Sequence, residues 1–120
     1  IYTSIMKILL GPKEQIKDIE ERYVVLELDT FRIQGIEVPS WCVIDAGNIP
    51  LKEMTETQHW QEQHNNLIKN WKKGDWNFCG QMLEHLQGKF GGELDSFYTT
   101  MFGRMQKPKP NPYTYIIDKE

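Results

Sequence analysis

The hydrophobic pattern of this 120-residue chain changes its period near residue 50. Before that point apolar and polar residues alternate, and after it apolar residues recur every three or four positions. A strand-rich part followed by a helical part predicts an α+β fold, because each part must bury its apolar face against the other. We expect a single domain over residues 1–120, with a strand-rich part at 1–50, a helical part at 51–106, and a proline-rich segment and terminal strand at 107–120.

The strand-rich part predicts a small, mostly antiparallel sheet with one short helix. Residues 1–10 predict a strand that ends at Gly11, and residues 12–22 carry the amphipathic pattern of a helix. The runs YVVLELDTFRI and IEVPSWCVID flank Gln34-Gly35, which predicts a β-hairpin. Pro39 lies inside the second run and predicts an edge position or a bulge, because proline has no N–H for the strand ladder.

The helical part predicts a three-helix unit over 55–73, 76–88 and about 94–105. Between the first two helices, Gly74 suits a left-handed stop and Asp75 suits the N-cap of the next helix. The third helix has the most regular apolar stripe in the chain, formed by Leu94, Phe97, Tyr98, Met101, Phe102 and Met105. The KPKPNP run that follows is expected to be extended, and YTYIID is expected to form a strand that pairs with the sheet.

The composition favours a folded domain and disfavours two classes of partner. Hydrophobic residues make up 39% of the chain and charged residues 26%, as in folded rather than disordered proteins. The chain has 14 Lys and Arg against 17 Asp and Glu, whereas a nucleic-acid-binding domain is normally basic. No apolar run approaches the ~20 residues of a membrane-spanning helix, so we expect no membrane association.

The two cysteines predict a reducing, cytoplasmic environment. Cys42 and Cys79 fall in unrelated contexts and form no CxxC motif, so two buried free thiols are expected rather than a disulfide. Cys79 lies near the start of a predicted helix, where the helix dipole lowers a thiol pKa. His85 lies on a different face of that helix, and we therefore interpret Cys79 as a packing residue.

The segment HWQEQH lacks the spacing of a metalloprotease zinc site. His59 and His64 are five residues apart, which separates their side chains by about 140° around a helix, whereas two zinc ligands need a spacing of four. His64 also lies on the apolar stripe of its helix, which predicts a hydrogen-bonded core histidine. We expect neither a metal ion nor a cofactor.

Three carboxylates on the predicted hairpin allow two interpretations. Glu27 and Asp29 are two residues apart on one strand and therefore share a face, and Asp45 ends the neighbouring strand. Together they could bind a divalent cation or share acid–base work. The same alternation is also typical of the solvent-facing side of a half-buried hairpin, which needs no function.

Two further patterns concern anions and nucleic acids. The strand–loop–helix MKILLGPKEQI has one Gly and one Lys where a phosphate-binding loop needs two glycines and a Lys-Ser/Thr pair. The backbone N–H groups at the start of that helix could still bind an anion. Aromatic and basic residues are also mixed as in proteins that bind single-stranded nucleic acids, namely at Trp71, Lys72, Lys73, Trp76, Lys107 and Lys109.

The segment WKKGDWNFCGQMLEHLQGKF resembles the turn of a tetratricopeptide-type helical hairpin. In that family a Gly ends one helix, an acidic residue and an aromatic start the next, and a small residue follows, as Gly74, Asp75, Trp76 and Cys79 do here. The resemblance covers a single hairpin over residues 55–90 and implies its geometry but no binding residue. The phrases VLELDTF, WNFC and GELDSFY are similar to small uncharacterised proteins of marine phage and ocean-metagenome origin.

We therefore predict a non-catalytic protein-interaction module without a cofactor. The large aromatic and methionine residues exceed what a domain of this size easily buries, and such residues often anchor interfaces, with a protein partner or in a homodimer. The alternative is a small enzyme or anion-binding protein with a site at Glu27, Asp29 and Asp45, and a concave pocket with converging polar groups would favour it. A nucleic-acid accessory protein is the third hypothesis.

Overall fold

The computed structural model describes residues 8–15, 23–45, 52 and 55–118, and it confirms the predicted α+β fold. Within these ranges four strands form one sheet, and three helices follow the hairpin in the chain. The strands are β1 Ile8–Leu10, β2 Tyr23–Ile33, β3 Ile36–Asp45 and β4 Ile116–Asp118. The helices are α1 Thr57–Lys73, α2 Trp76–Leu86 and α3 Asp95–Met105, and short 3₁₀ turns cover Lys13–Gln15 and Phe90–Gly92.

The sheet has the order β1-β3-β2-β4 and is antiparallel except at β4. The predicted hairpin between β2 and β3 closes through a two-residue turn, in which Gln34 and Gly35 have φ angles of 51° and 80°. Two positive φ angles are what the favoured hairpin turn requires. The predicted terminal strand also forms, and β4 pairs in parallel with Thr30–Arg32 of β2.

A β-bulge interrupts the hairpin and overturns one prediction. Glu27 pairs with Trp41, but Thr30 pairs with Pro39, so Leu28 and Asp29 together oppose one residue of β3. The bulge fits the prediction from Pro39, which lies beside it. The alternation of β2 predicted that Asp29 would lie on the solvent-facing side of the hairpin. Because the extra residue breaks that alternation, Asp29 is buried instead, with an exposed fraction of 4%.

The core lies where the apolar stripes of the three helices meet the inner face of the sheet. The sheet contributes Leu26, Leu28, Cys42 and Ile44, and the helices contribute Leu67, Ile68, Trp71, Cys79, Leu83, Leu86, Phe97, Tyr98 and Met101. Phe90 and Leu94, between α2 and α3, complete the core. The predicted stripe of α3 is wrong at Phe102, which is 47% exposed. Phe102 lies at the margin of the stripe, beside an open groove between α2 and α3.

The turn between α1 and α2 forms as predicted, and the C-terminal segment packs on it. Gly74 adopts the left-handed conformation, and the Asp75 carboxylate accepts a hydrogen bond of 3.1 Å from the backbone N–H of Phe78. Lys109 donates to the carbonyl oxygen of Gly74, and the ring of Tyr113 lies against the same glycine. A Cβ atom at position 74 would lie 3.1 Å from that ring, so close packing and a positive φ angle both favour glycine here.

Part of the N-terminal prediction lies outside the described residues. Of the strand expected at 1–10 the structure describes Ile8–Leu10, and of the helix expected at 12–22 it describes the 3₁₀ turn Lys13–Gln15. The remaining positions, 1–7 and 16–22, are not described. Among the helices that the structure does describe, none combines the length and the apolar character needed to cross a membrane.

Candidate anion-binding cleft

The hairpin does not bring the three predicted carboxylates into one site. Glu27 Oε2 lies 2.7 Å from Lys72 Nζ, and the two carboxylate oxygens of Asp29 accept hydrogen bonds of 2.7 and 2.9 Å from the guanidinium of Arg104. Asp45 pairs with Tyr23, four positions along the ladder from the pair that Glu27 forms with Trp41. Glu27 and Asp29 therefore each contact a separate cation. No cluster of three or more His, Cys, Asp or Glu residues that could hold a metal ion occurs in the described part of the chain.

His64 is a hydrogen-bonded core histidine, as predicted. Its Nε2 lies 2.6 Å from the backbone carbonyl oxygen of Glu27, and its Nδ1 lies 2.9 Å from the hydroxyl of Tyr98. A carbonyl oxygen can only accept, so Nε2 carries the proton, and Nδ1 of the neutral ring accepts from the Tyr98 O–H. Because the ring is completely buried, desolvation lowers the pKa of His64 to about 4, although the bond to the Glu27 carbonyl opposes that shift.

The lowered pKa of His64 predicts that acid destabilises the protein. The unfolded chain binds a proton at this residue below about pH 6.5, whereas the folded protein resists protonation down to about pH 4. Stability is therefore lost as the pH falls through this window, by about 2 kcal/mol between pH 7 and pH 5. Urea denaturation at the two pH values measures the loss.

The matched control for this prediction is the exposed histidine on the same helix. A His64→Gln variant should lose about 2 kcal/mol of the pH dependence, and a His59→Gln variant should keep it. Equal pH dependence in the wild-type and His64→Gln proteins would contradict a buried neutral His64.

Both cysteines are buried and free, as predicted. Burial raises the pKa of each thiol to about 12, and the carboxylates of Glu93 near Cys42 and Asp75 near Cys79 add to the shift. The helix start does not lower the pKa of Cys79. Since the thiolate is the reactive form, neither cysteine is poised as a nucleophile, and both act as packing residues.

Of the mixed aromatic and basic residues, Trp71, Trp76 and Lys109 form one contact group, whereas Lys72 pairs with Glu27. Trp71 and Trp76 stack with their ring centroids 5.2 Å apart and their planes 3° apart. Lys109 Nζ lies 5.8 Å from the centroid of the Trp76 ring and 5.5 Å from that of Tyr113. Stacking with Trp71 and the contact with Lys109 take up Trp76 surface that a nucleobase would need, and this geometry disfavours the nucleic-acid hypothesis.

A cleft with a volume of about 330 Å³ lies between the sheet and α1. Its lining comes from the 3₁₀ turn after β1, from both strands of the hairpin and from α1. The lining residues are Lys13, Val25, Glu27, Trp41, Asn65, Ile68, Lys69 and Lys72. Glu27 is thus the only member of the predicted carboxylate set among the described residues that line the cleft.

The strands fix the floor of the cleft. Val25 and Glu27 are two residues apart on β2 and point to one face, and Trp41 is the cross-strand partner of Glu27. The indole Nε1 of Trp41 donates a hydrogen bond of 2.8 Å to the carbonyl oxygen of Gly11. That bond holds the loop before Lys13 against the sheet and so positions the turn that carries this lysine.

The described lining of the cleft contains more positively than negatively charged residues. Asn65, Lys69 and Lys72 recur at spacings of four and three, which places them on one face of α1. The described lining contains three ammonium groups and one carboxylate, a formal excess of two positive charges. Glu27 pairs with Lys72, whereas Lys13 and Lys69 form no ion pair with any other described residue. Two of the three lysines in the described lining therefore have no carboxylate partner within the part of the chain that the structure describes.

The sequence pointed to the loop before Lys13 and to Glu27 but not to Lys69. An exposed lysine on the polar side of an amphipathic helix gives no signal of a site, since most such residues contact only water. The position of Lys69 in the cleft depends on which strand α1 packs against.

No protein-family model, curated protein or solved structure matches the chain significantly. Function is therefore inferred from the side-chain geometry.

Proposed function

We propose that this protein binds a small anionic ligand in the cleft between the sheet and α1, without catalysing a reaction on it. The observation that carries the proposal is the presence of three lysines, Lys13, Lys69 and Lys72, in the lining of one cavity. Its volume of about 330 Å³ falls within the range of small-molecule sites, about 300–1,000 Å³. Converging polar groups in a concave site favour this hypothesis over a general interaction surface.

The charge of the cleft supports a phosphoryl group as the recognised part of the ligand. A phosphate monoester carries about −1.5 to −2 charges at pH 7, which complements the two excess positive charges of the lining. Ammonium groups donate charge-assisted hydrogen bonds to phosphate oxygens. The lining offers no strong nucleophile in the described residues, and Glu27, the one candidate base, is held by Lys72. Binding is therefore proposed rather than catalysis.

Titration of the purified protein with inorganic phosphate tests this proposal. A Lys69→Gln variant should bind phosphate about tenfold more weakly, since a hydrogen bond to a charged group contributes about 1.5–3 kcal/mol. The matched control is Lys73→Gln, because Lys73 is an exposed lysine of the same helix that does not line the cleft. Calorimetry or NMR shift mapping measures the phosphate affinity of both variants.

Two outcomes of the titration would contradict the proposal. The first is an absence of phosphate binding by the wild-type protein at low salt. The second is an equal loss of affinity in Lys69→Gln and Lys73→Gln, which would assign the binding to net charge rather than to the cleft.

A protein-interaction module remains the second candidate, and Phe102 is the observation that favours it. This half-exposed aromatic lies beside a groove of about 230 Å³ whose other lining residues are Leu83, Glu84 and Gln87. Exposed aromatics beside a pocket are typical anchors of interfaces. Light scattering distinguishes the outcomes for the proposed homodimer: self-association that Phe102→Ala abolishes supports it, and a monomer at high concentration contradicts it.

A further inference from the structure

We infer that the natural ligand of the cleft is an organic phosphate monoester with a compact apolar body and a single anionic end. This inference rests on the proposed anion-binding function and adds the chemical class of the ligand. It depends on three features of the lining: the size of the cavity, its apolar wall and the position of Glu27.

The cavity is larger than the phosphoryl group that its charges recognise. A volume of about 330 Å³ holds on the order of ten water-sized groups, at about 30 Å³ each. Inorganic phosphate has five non-hydrogen atoms and leaves about half of this space to water. A ligand that fills the cleft must therefore carry a body attached to the phosphoryl group.

Three of the four uncharged residues in the described lining are apolar and form one wall, and the fourth is Asn65. Val25 on β2, Trp41 on β3 and Ile68 on α1 contribute this wall. Trp41 cannot turn to offer its indole N–H to a ligand without breaking its bond to Gly11, so it presents carbon atoms. Apolar atoms of a ligand gain affinity when they leave water for such a wall. An apolar body therefore suits this wall better than a second phosphate does.

Glu27 limits the ligand to one anionic end. Its carboxylate lines the same cavity, and its side chain is only 21% exposed. Because this carboxylate pairs with Lys72, the two lysines that remain in the described lining match the charge of one phosphoryl group and leave no cation for a second anionic group. A diphosphate or a phosphorylated acid is accordingly disfavoured relative to a simple monoester.

A comparison of three probes tests this inference: phenyl phosphate, inorganic phosphate and phenol. We expect phenyl phosphate to bind the wild-type protein about tenfold more tightly than inorganic phosphate, since it covers the apolar wall. Phenol alone should bind more weakly than either. Equal affinity for phenyl phosphate and inorganic phosphate would overturn the inference while leaving the anion-binding function intact. Failure of both anions to bind would overturn the proposed function itself.

A pair of isosteric variants locates the apolar contact. Val25→Thr places a hydroxyl in the wall and should weaken phenyl phosphate binding about fivefold relative to inorganic phosphate binding. Val43→Thr is the matched control, because Val43 is the cross-strand partner of Val25 and does not line the cleft. Equal effects of the two substitutions on phenyl phosphate would overturn the inference. Should Val25→Thr fail to fold, the comparison of the three probes with the wild-type protein still decides.

Discussion

An Arg104→Leu variant is expected to lose about 3 kcal/mol of unfolding free energy at pH 7. The Asp29 side chain is only 1% exposed, and Arg104 donates to both of its carboxylate oxygens. Removal of the guanidinium leaves a carboxylate charge in the interior without this cation. The expected loss is at the lower end of the range for such pairs, because the Arg104 side chain itself is 26% exposed.

Urea denaturation measures this loss. Arg32, which lies on the same strand as Asp29, provides the control. Arg32 pairs with Asp118 at 3.4 Å, but both side chains of that pair are largely exposed. An Arg32→Leu substitution should therefore cost less than about 1 kcal/mol. Similar losses in Arg104→Leu and Arg32→Leu would show that the Asp29–Arg104 pair is not a buried interaction.

The elements of the fold that depend on neighbouring residues could be predicted from the sequence. The hairpin turn needs two residues that accept positive φ angles, and the sequence supplies Gln34-Gly35 between two β-branched runs. The boundary between α1 and α2 needs a glycine followed by a capping residue, and Gly74-Asp75 provides both. In each case the physical cause lies within a few residues of the chain.

Features that depend on distant residues could not be predicted in this way. Pro39 predicts an edge position or a bulge, but not that the extra residue would lie on β2 at Asp29, nor that an arginine 75 positions later would pair with it. The stripe of α3 predicted that Phe102 would be buried like Phe97, because periodicity gives the direction of a side chain but not how far the neighbouring helix extends over it.

The candidate site likewise combines a residue that the local sequence indicates with residues that it does not. The alternation of one strand indicates Glu27, but its cation, Lys72, is 45 positions away. Lys13 comes from the turn after β1 and Lys69 from the same helix as Lys72, and these residues line one cleft with Glu27 only because α1 packs against the hairpin. The net charge of −3 therefore did not predict a cleft lined by three lysines, because net charge does not show how charges are distributed over a surface.

A Phe97→Ala variant is expected to lose about 3–5 kcal/mol of unfolding free energy. The Phe97 ring is completely buried, with its centroid 5.8 Å from that of Tyr98 and 6.1 Å from that of His64. Truncation leaves a cavity where α3 meets the histidine of α1, in addition to the lost transfer of the ring from water. The total stability of a domain is about 5–15 kcal/mol, so the variant should melt far below the wild-type protein.

Phe102 on the same helix is the matched control for Phe97. It is the same residue type, five positions later, but 47% of it is exposed, so Phe102→Ala should cost less than half as much. Thermal and urea unfolding of both variants measure the difference. Wild-type-like melting of Phe97→Ala, or a larger loss in Phe102→Ala, would show that the opposite margin of α3 faces the core. In that case the packing of α1 would also have to be revised. His64 lies on α1 together with Lys69 and Lys72, and its hydrogen bond to Tyr98 joins α1 to α3.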